Sequence, residues 1–518
     1  MGRILKKTAL ISILTFGSRI LGVVRDSLIA VCFGASSQSD AFFIAFRPFD
    51  LARKLFSEGI LNISFIPVFS ETLEKEGRSQ AASMVFSFFF VFSMIGISIV
   101  ISGILFAPLI IKIIAPGYIE NSYQYGLALI MMKIMLPYIF FILITALCMG
   151  VLNSFGNFGV PAFAPLVFNL VVIVFTLFVS SRFNVSVRGL ALGVTVGGMI
   201  QLAIQIPSMM RLGMLKISFS CFFHPGVLKV AKIMIPSMIG AASYQINIMV
   251  ASFFTSKLDE GSVSFVYYAD RLVQFPLALF AVSVATVLLP EISKKVVRGQ
   301  LDEVGELFSR GVKLVFFITI PAMAGLMALD EPVVKILFGY GVFDASAVQK
   351  TADCLFFLAM GLWAFTGVRL FVTLYYSLMN ISIPFYSGII TIGLNLILCP
   401  VLMKLFGLKG LILSVSASAV AGFVFLFINI PGTMNIRRTE IIISACRSFF
   451  VSAIMFFLVK QTADLVLPLL SSRLGFVIGV TGCISIGMIF YLGFNQVISN
   501  PELVLIKKGI KIRHHDHG

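Results

Sequence analysis

Fourteen mainly apolar stretches follow one another along the 518-residue chain, most of them about 20 residues long or longer. That is the length an α-helix needs to cross the hydrocarbon core of a bilayer. They lie near 9 to 33, 40 to 69, 81 to 115, 125 to 152, 161 to 180, 189 to 210, 229 to 256, 262 to 290, 307 to 329, 351 to 378, 383 to 403, 410 to 430, 441 to 464 and 474 to 497. A soluble fold cannot hide this much apolar surface: 59% of residues are hydrophobic and 12% charged, against about 25% charged in ordinary soluble domains. Without water to pair its amides, a spanning segment must bond internally. The expected fold is an all-α polytopic membrane protein of fourteen transmembrane helices.

A net charge of +16 can signal nucleic acid. Here the basic residues are scattered between apolar runs, so they read as topology and no nucleic-acid partner is expected. Lys75 and Arg78, the 211 to 232 linker, Lys294, Lys295 and Arg298, Arg437 and Arg438, and Lys507, Lys508, Lys511 and Arg513 all fall on one side, which puts both termini in the cytoplasm. Arg3, Lys6 and Lys7 before an apolar run imitate a signal peptide, but Arg19 and Arg25 interrupt that run, so the first helix is expected to stay uncleaved. The seven cysteines, at 32, 148, 221, 354, 399, 446 and 483, form no CxxC pair and read as small core residues. No GxxxxGK[ST] loop, HExxH helix or acidic metal cluster is present, so no cofactor, metal or enzymatic activity is expected. His514, His515, Asp516 and His517 read as a solvated terminus without a role.

The chain repeats itself at an offset of 223. Pro67 matches Pro290, Ser70 matches Ser293, Lys112 matches Lys335, and Ser154, Asn157 and Pro161 match Ser377, Asn380 and Pro384. An even number of helices per copy returns each half to the side where it began, so two six-helix lobes around a central cavity are expected. The divisions are residues 1 to 223, 224 to 436, and 437 to 518, the last carrying two further helices and the basic tail.

Charges inside the apolar runs point to function. The first run carries Arg19, Arg25 and Asp26, the second Arg47, Asp50, Arg53 and Glu58, the eighth Asp270 and Arg271. Burying Arg19, Arg25, Arg53 and Arg271 in lipid costs about 10 to 14 kcal/mol before compensation, so they must face protein or a water-filled cavity. Arg47, Asp50 and Arg53, at three-residue steps, can pair locally. Arg19 and Arg271 lie deep with few acids nearby, which favours an anion-attracting cavity, and the guanidinium fork suits phosphate oxygens. Gly17, Gly22 and Pro48 offer hinges, with close helix packing as the alternative.

The stretch from Ser18 to Glu71, SRILGVVRDSLIAVCFGASSQSDAFFIAFRPFDLARKLFSEGILNISFIPVFSE, closely resembles the MurJ, or MviN, family of lipid II flippases. Ala115-Pro116-Gly117, the run from Val160 to Pro165 with Asn169, and Tyr267-Tyr268-Ala269-Asp270-Arg271-Leu272 with Phe275-Pro276 agree in the same order. The resemblance covers nearly the whole chain. It implies a flippase that moves the undecaprenyl-pyrophosphate-linked peptidoglycan precursor lipid II from the cytoplasmic to the outer leaflet of the bacterial inner membrane by alternating access. It also implies substrate contacts at Ser18, Arg19, Arg25, Asp26, Asp40, Arg53, Asn169 and Arg271. Implied partners are lipid II, membrane lipids and the cell-wall synthesis machinery, with a monomer as the working unit. One departure is Gln274, where some members carry an acid. Another exporter of the same superfamily and a membrane scaffold are the alternatives. Alternating access predicts that loop Gly34 to Ser39 meets loop Lys257 to Gly261 when the outer side is shut.

Overall fold

The computed structural model describes residues 2–57, 60–180, 187–215 and 223–504. Glu58, Cys221 and the tail from Lys507 to His517 lie outside the described residues. Nineteen α-helices are present among them: α1 (Gly2–Phe33), α2 (Ser37–Ser57), α3 (Ile60–Lys75), α4 (Gly77–Ile114), α5 (Ser122–Met135), α6 (Pro137–Ser154), α7 (Gly159–Val174), α8 (Val187–Ala203), α9 (Ile206–Arg211), α10 (Pro225–Thr255), α11 (Ser262–Pro276), α12 (Val282–Val297), α13 (Leu301–Ala328), α14 (Asp330–Phe338), α15 (Ala345–Ala359), α16 (Leu362–Ser377), α17 (Ser382–Ile428), α18 (Arg438–Val466) and α19 (Arg473–Val497).

Fourteen spans emerge when helices broken within one apolar run are joined: α2 with α3, α5 with α6, α11 with α12, and α15 with α16, while α17 supplies two spans. Eight stretches among the described residues are long and apolar enough to cross a membrane by themselves, and the α15–α16 pair, bent by 45°, makes a ninth. The breaks have chemical causes. Pro137 opens α6, its missing N–H costing nothing at a first turn. Pro276 ends α11 and a π-helical turn, Leu277–Ala281, follows it. Gly407 turns α17 back at φ +59, which an L side chain rarely adopts. Pro48, an expected hinge, lies inside α2 without ending it. Gly17 and Gly22 lie within unbroken α1, and a Cβ there would sit 3.6 Å from Leu166 and 3.8 Å from Asn169. Both distances are ordinary van der Waals contacts, so a methyl group would fit at either glycine.

By compactness the chain forms two units, residues 1–264 with 340–344, and residues 265–339 with 345–518. In the first unit α1 packs on α7, α7 on α8, α2 on α5 and α6, and α10 on α3 and α4. A glycine row on α8 admits the α7 segment: a Cβ at Gly189 would meet Ser180 at 2.6 Å and one at Gly193 would meet Phe175 at 2.6 Å. Lipid supplies no hydrophobic force between helices, so close approach over small residues provides the cohesion. Compactness and repetition partition the chain differently, since α10 heads the second copy by sequence yet packs with the first unit.

In the second unit α13 packs against α12, α15, α16 and α18. Phe317, Val451, Met455, Val459, Val480 and Tyr491 form a buried cluster with α18 and α19, and the Tyr491 hydroxyl donates to the Phe317 carbonyl at 2.9 Å. Trp363 meets Phe423 and Phe449 edge-on. Cys148, Cys354, Cys399 and Cys483 are buried, but Cys32 and Cys446 are exposed on helix surfaces, which corrects the reading of all the cysteines as core residues.

Candidate functional site

The middle of α1 meets α7 through a polar cluster in the first unit. Arg25 grips its neighbour Asp26 with Nε at 2.9 Å and Nη2 at 2.7 Å, both to one carboxylate oxygen. Its Nη1 donates to Asn169 Oδ1 at 3.0 Å. Asn169 completes the junction by donating from Nδ2 to the Ser18 carbonyl at 3.0 Å. Four expected site residues, Ser18, Arg25, Asp26 and Asn169, are thereby brought together. The amide orients the guanidinium, so Asn169 acts on Arg25. Arg19, next to Ser18, is half-buried and has no ion-pair or hydrogen-bond partner among the described residues. It therefore carries a cation that the local structure does not neutralise.

We expect Asn169→Ala to reduce transport about tenfold, the value of a charge-assisted hydrogen bond, whereas Asn169→Asp keeps an acceptor for Arg25 but loses the donor to the Ser18 carbonyl, so it should restore transport only in part. Wild-type transport by the alanine variant, measured as delivery of substrate to the outer leaflet, would show that the junction is dispensable.

Arg53 lies on α2 and donates to Asp50 at 2.9 Å. Asp50 also pairs with Lys54 at 3.0 Å, and Lys54 reaches Gln245 of α10 at 3.2 Å. The three-residue spacing foretold the Asp50 to Arg53 pair. It did not reveal Gln245, because that link runs between segments 191 residues apart; Lys54, four residues after Asp50, is a partner the same helical geometry allows. Arg47 is buried on the same helix.

Asp40 stands apart from the α1–α7 cluster. It opens α2, is 2% exposed, and accepts from the Gly261 amide at 2.7 Å and the Ser264 amide at 2.8 Å, with the Ser264 hydroxyl donating as well. The carboxylate thus satisfies amides at the turn leading into α11 and in its first helical turn, donors that an α-helix cannot satisfy itself. Ser39 and Ser264 bring their hydroxyls within 3.0 Å, and the Ser37 amide donates to Glu260. Ser37 and Glu260 are 223 apart, so positions equivalent under the repeat touch each other. The loop Gly34 to Ser39 does meet the loop Lys257 to Gly261. The Ala115-Pro116-Gly117 motif packs here too: the Gly117 amide donates to Ser256 Oγ at 3.2 Å, and a Cβ on Gly117 would fall 2.0 Å from the Ser256 carbonyl oxygen.

In the second unit Arg271, on α11, donates from Nη2 to the Tyr267 hydroxyl at 2.7 Å, with its guanidinium carbon 4.7 Å from that ring's centroid. Gln274, the departure noted in sequence, donates its amide to Asp270. Among the described residues no group of three or more His, Cys, Asp or Glu could hold a metal.

The family model described as "Lipid II flippase MurJ" matches residues 29–479. The probable lipid II flippase MurJ of Buchnera aphidicola subsp. Acyrthosiphon pisum is 35% identical over 423 residues, 82% of this chain and 83% of that protein. A solved structure, "Lipid II flippase MurJ, inward closed conformation", superposes with a TM-score of 0.79 at 29% identity, covering 95% of this chain and 100% of that one. A multidrug resistance MATE family transporter of the MOP superfamily, in an inward-facing conformation, gives a TM-score of 0.64 at 13% identity over 86% of this chain and 96% of that one, a likeness of fold alone. On the family model and the extent of these matches, this multi-pass membrane protein belongs to the lipid II flippase MurJ family.

Proposed function

We propose that this chain flips lipid II from the cytoplasmic to the outer leaflet of the bacterial inner membrane, with both termini in the cytoplasm and a monomer as the working unit. The observation that carries the reading is a half-buried arginine, Arg19, with no counter-ion among the described residues, beside the Ser18, Arg25, Asp26 and Asn169 cluster. A pyrophosphate is the complement such a site lacks, since it accepts several N–H bonds at once. Arg53 and Arg271 supply further donors, and Asp40 serves as an outer latch whose engagement supports a state shut on that side. The two copies act as lobes, with residues 437 to 518 outside them, and opening to one side at a time lets the headgroup cross. Partners are lipid II, the bilayer and the cell-wall synthesis machinery. Depleting the chain and following lipid II at the outer leaflet tests the proposal. Outer-leaflet lipid II should fall while the cytoplasmic pool rises, and an unchanged outer pool would overturn it.

A further inference from the structure

We infer that two crossed straps help hold the outer side shut, the turn Pro116–Ile119 and the loop Tyr340–Asp344, each seated on the end of the other copy's first helix; this rests on the alternating access proposed above. Both straps and both helix ends lie in the first compact unit. The end of an α-helix leaves four carbonyls without helical donors. At the end of α1 the Ala30 carbonyl takes the Gly34 amide at 2.8 Å, and the Val31 carbonyl takes the Val342 amide at 3.1 Å. The approach is backbone on backbone. A Cβ on Gly341 would fall 2.3 Å from the Val31 carbonyl oxygen, and one on Gly34 would fall 3.0 Å from the Val342 carbonyl oxygen. Both glycines have positive φ, +63 and +62.

The end of α10 repeats the arrangement. The Gly117 amide donates to Ser256 Oγ, and the Cβ that would fall 2.0 Å from the Ser256 carbonyl oxygen is the counterpart of the one on Gly341. At the offset of 223, Ser256 corresponds to Phe33, the last residue of α1, and Gly117 to Tyr340, the neighbour of Gly341. Close to each glycine an aromatic side chain anchors the strap: Tyr118 and Phe343 are both buried. Pro116–Ile119 joins α4 to α5 of the first copy and sits on α10, which opens the second. Tyr340–Asp344 joins α14 to α15 of the second copy and sits on α1, which opens the first. When the copies part on the outer side, each strap releases the helix end it covers. These contacts are separate from those of Asp40, and any Cβ at position 117 or 341 is a wedge beneath a strap.

The test reads outer opening directly. In the full-length chain without its native cysteines, Ser262→Cys places a thiol at the start of α11, at a position 4% exposed, and a membrane-impermeant maleimide added outside reports its accessibility. Gly117→Ala and Gly341→Ala should each raise the labelling rate about tenfold, as the wedge and the loss of a backbone hydrogen bond weigh on the shut state. Gly126→Ala, on α5 with nothing within 4 Å of the added Cβ, should label at the parental rate. Ser256→Ala inserts no wedge and removes the acceptor of the Gly117 amide, so it should raise the rate about threefold. Native Cys354, buried in α15 and restored as the only thiol, should stay unreactive in every variant. Its labelling would assign the faster reaction to unfolding and overturn the inference. The parental rate in Gly117→Ala, Gly341→Ala or Ser256→Ala would also overturn it. The flippase reading is decided separately, by outer-leaflet lipid II on depletion, and stands without the straps if that pool falls.

Discussion

Arg19→Ala abolishes delivery of lipid II to the outer leaflet while membrane abundance stays near wild type. Both halves of this expectation follow from the absence of a counter-ion among the described residues. A half-buried cation with nothing to neutralise it contributes no stability, so removing it leaves the fold intact. Charge-assisted hydrogen bonds to phosphate contribute about 1.5–3 kcal/mol each, and losing two of them reduces affinity on the order of a hundredfold or more. Arg19→Lys should retain partial transport, since a point charge replaces a planar fork. Arg25→Ala is the contrast: it leaves buried Asp26 without its 2.7 Å ion pair, and abundance should fall with activity. Complementation, outer-leaflet lipid II accessibility and quantitative blotting together decide the matter. Equal losses of abundance in the two variants would assign Arg19 a structural role.

Ser39→Cys with Ser264→Cys, in a background without the native cysteines, should form a disulfide that stops transport until it is reduced. The two hydroxyls lie 3.0 Å apart and buried, which places their carbons close to the separation a disulfide bridges. The cross-link fastens the start of α2 to the start of α11, where Asp40 already joins them, so these two segments cannot part. Transport should fall to background in oxidised cells and recover with reductant. If the oxidised, fully cross-linked protein still delivered lipid II outward, opening at this latch would form no part of the cycle.

Much of the fold was legible because a bilayer permits few alternatives: backbone groups must bond internally, so long apolar runs become helices. Short α14 gave no such signal, being only 9 residues long and lying between two long runs, and the break that sets off the 6-residue α9 falls within the 189 to 210 run. Pro48 lies inside unbroken α2, and proline is tolerated within spanning helices when neighbours re-satisfy the freed carbonyl. At the candidate site, the cost of burying charge singled out Arg19, and helical spacing foretold the Asp50 to Arg53 pair. The engagement of Asp40 was invisible, since its partners include backbone amides 221 and 224 residues away. Nothing about a glycine and a serine in a turn advertises which carboxylate will cap them.

The meeting of equivalent positions has a consequence for evolution by duplication. Two identical copies would face each other with two carboxylates, one at Asp40 and one at position 263, and both would bond reciprocally or repel. Position 263 is valine, so the second copy has no carboxylate equivalent to Asp40, and the acceptor it does supply is Glu260, which takes the Ser37 amide. The two carboxylates stand at non-equivalent places three residues apart in the repeat frame. Each takes its own donors, and the head-on meeting of like charges that identical copies would have made is avoided.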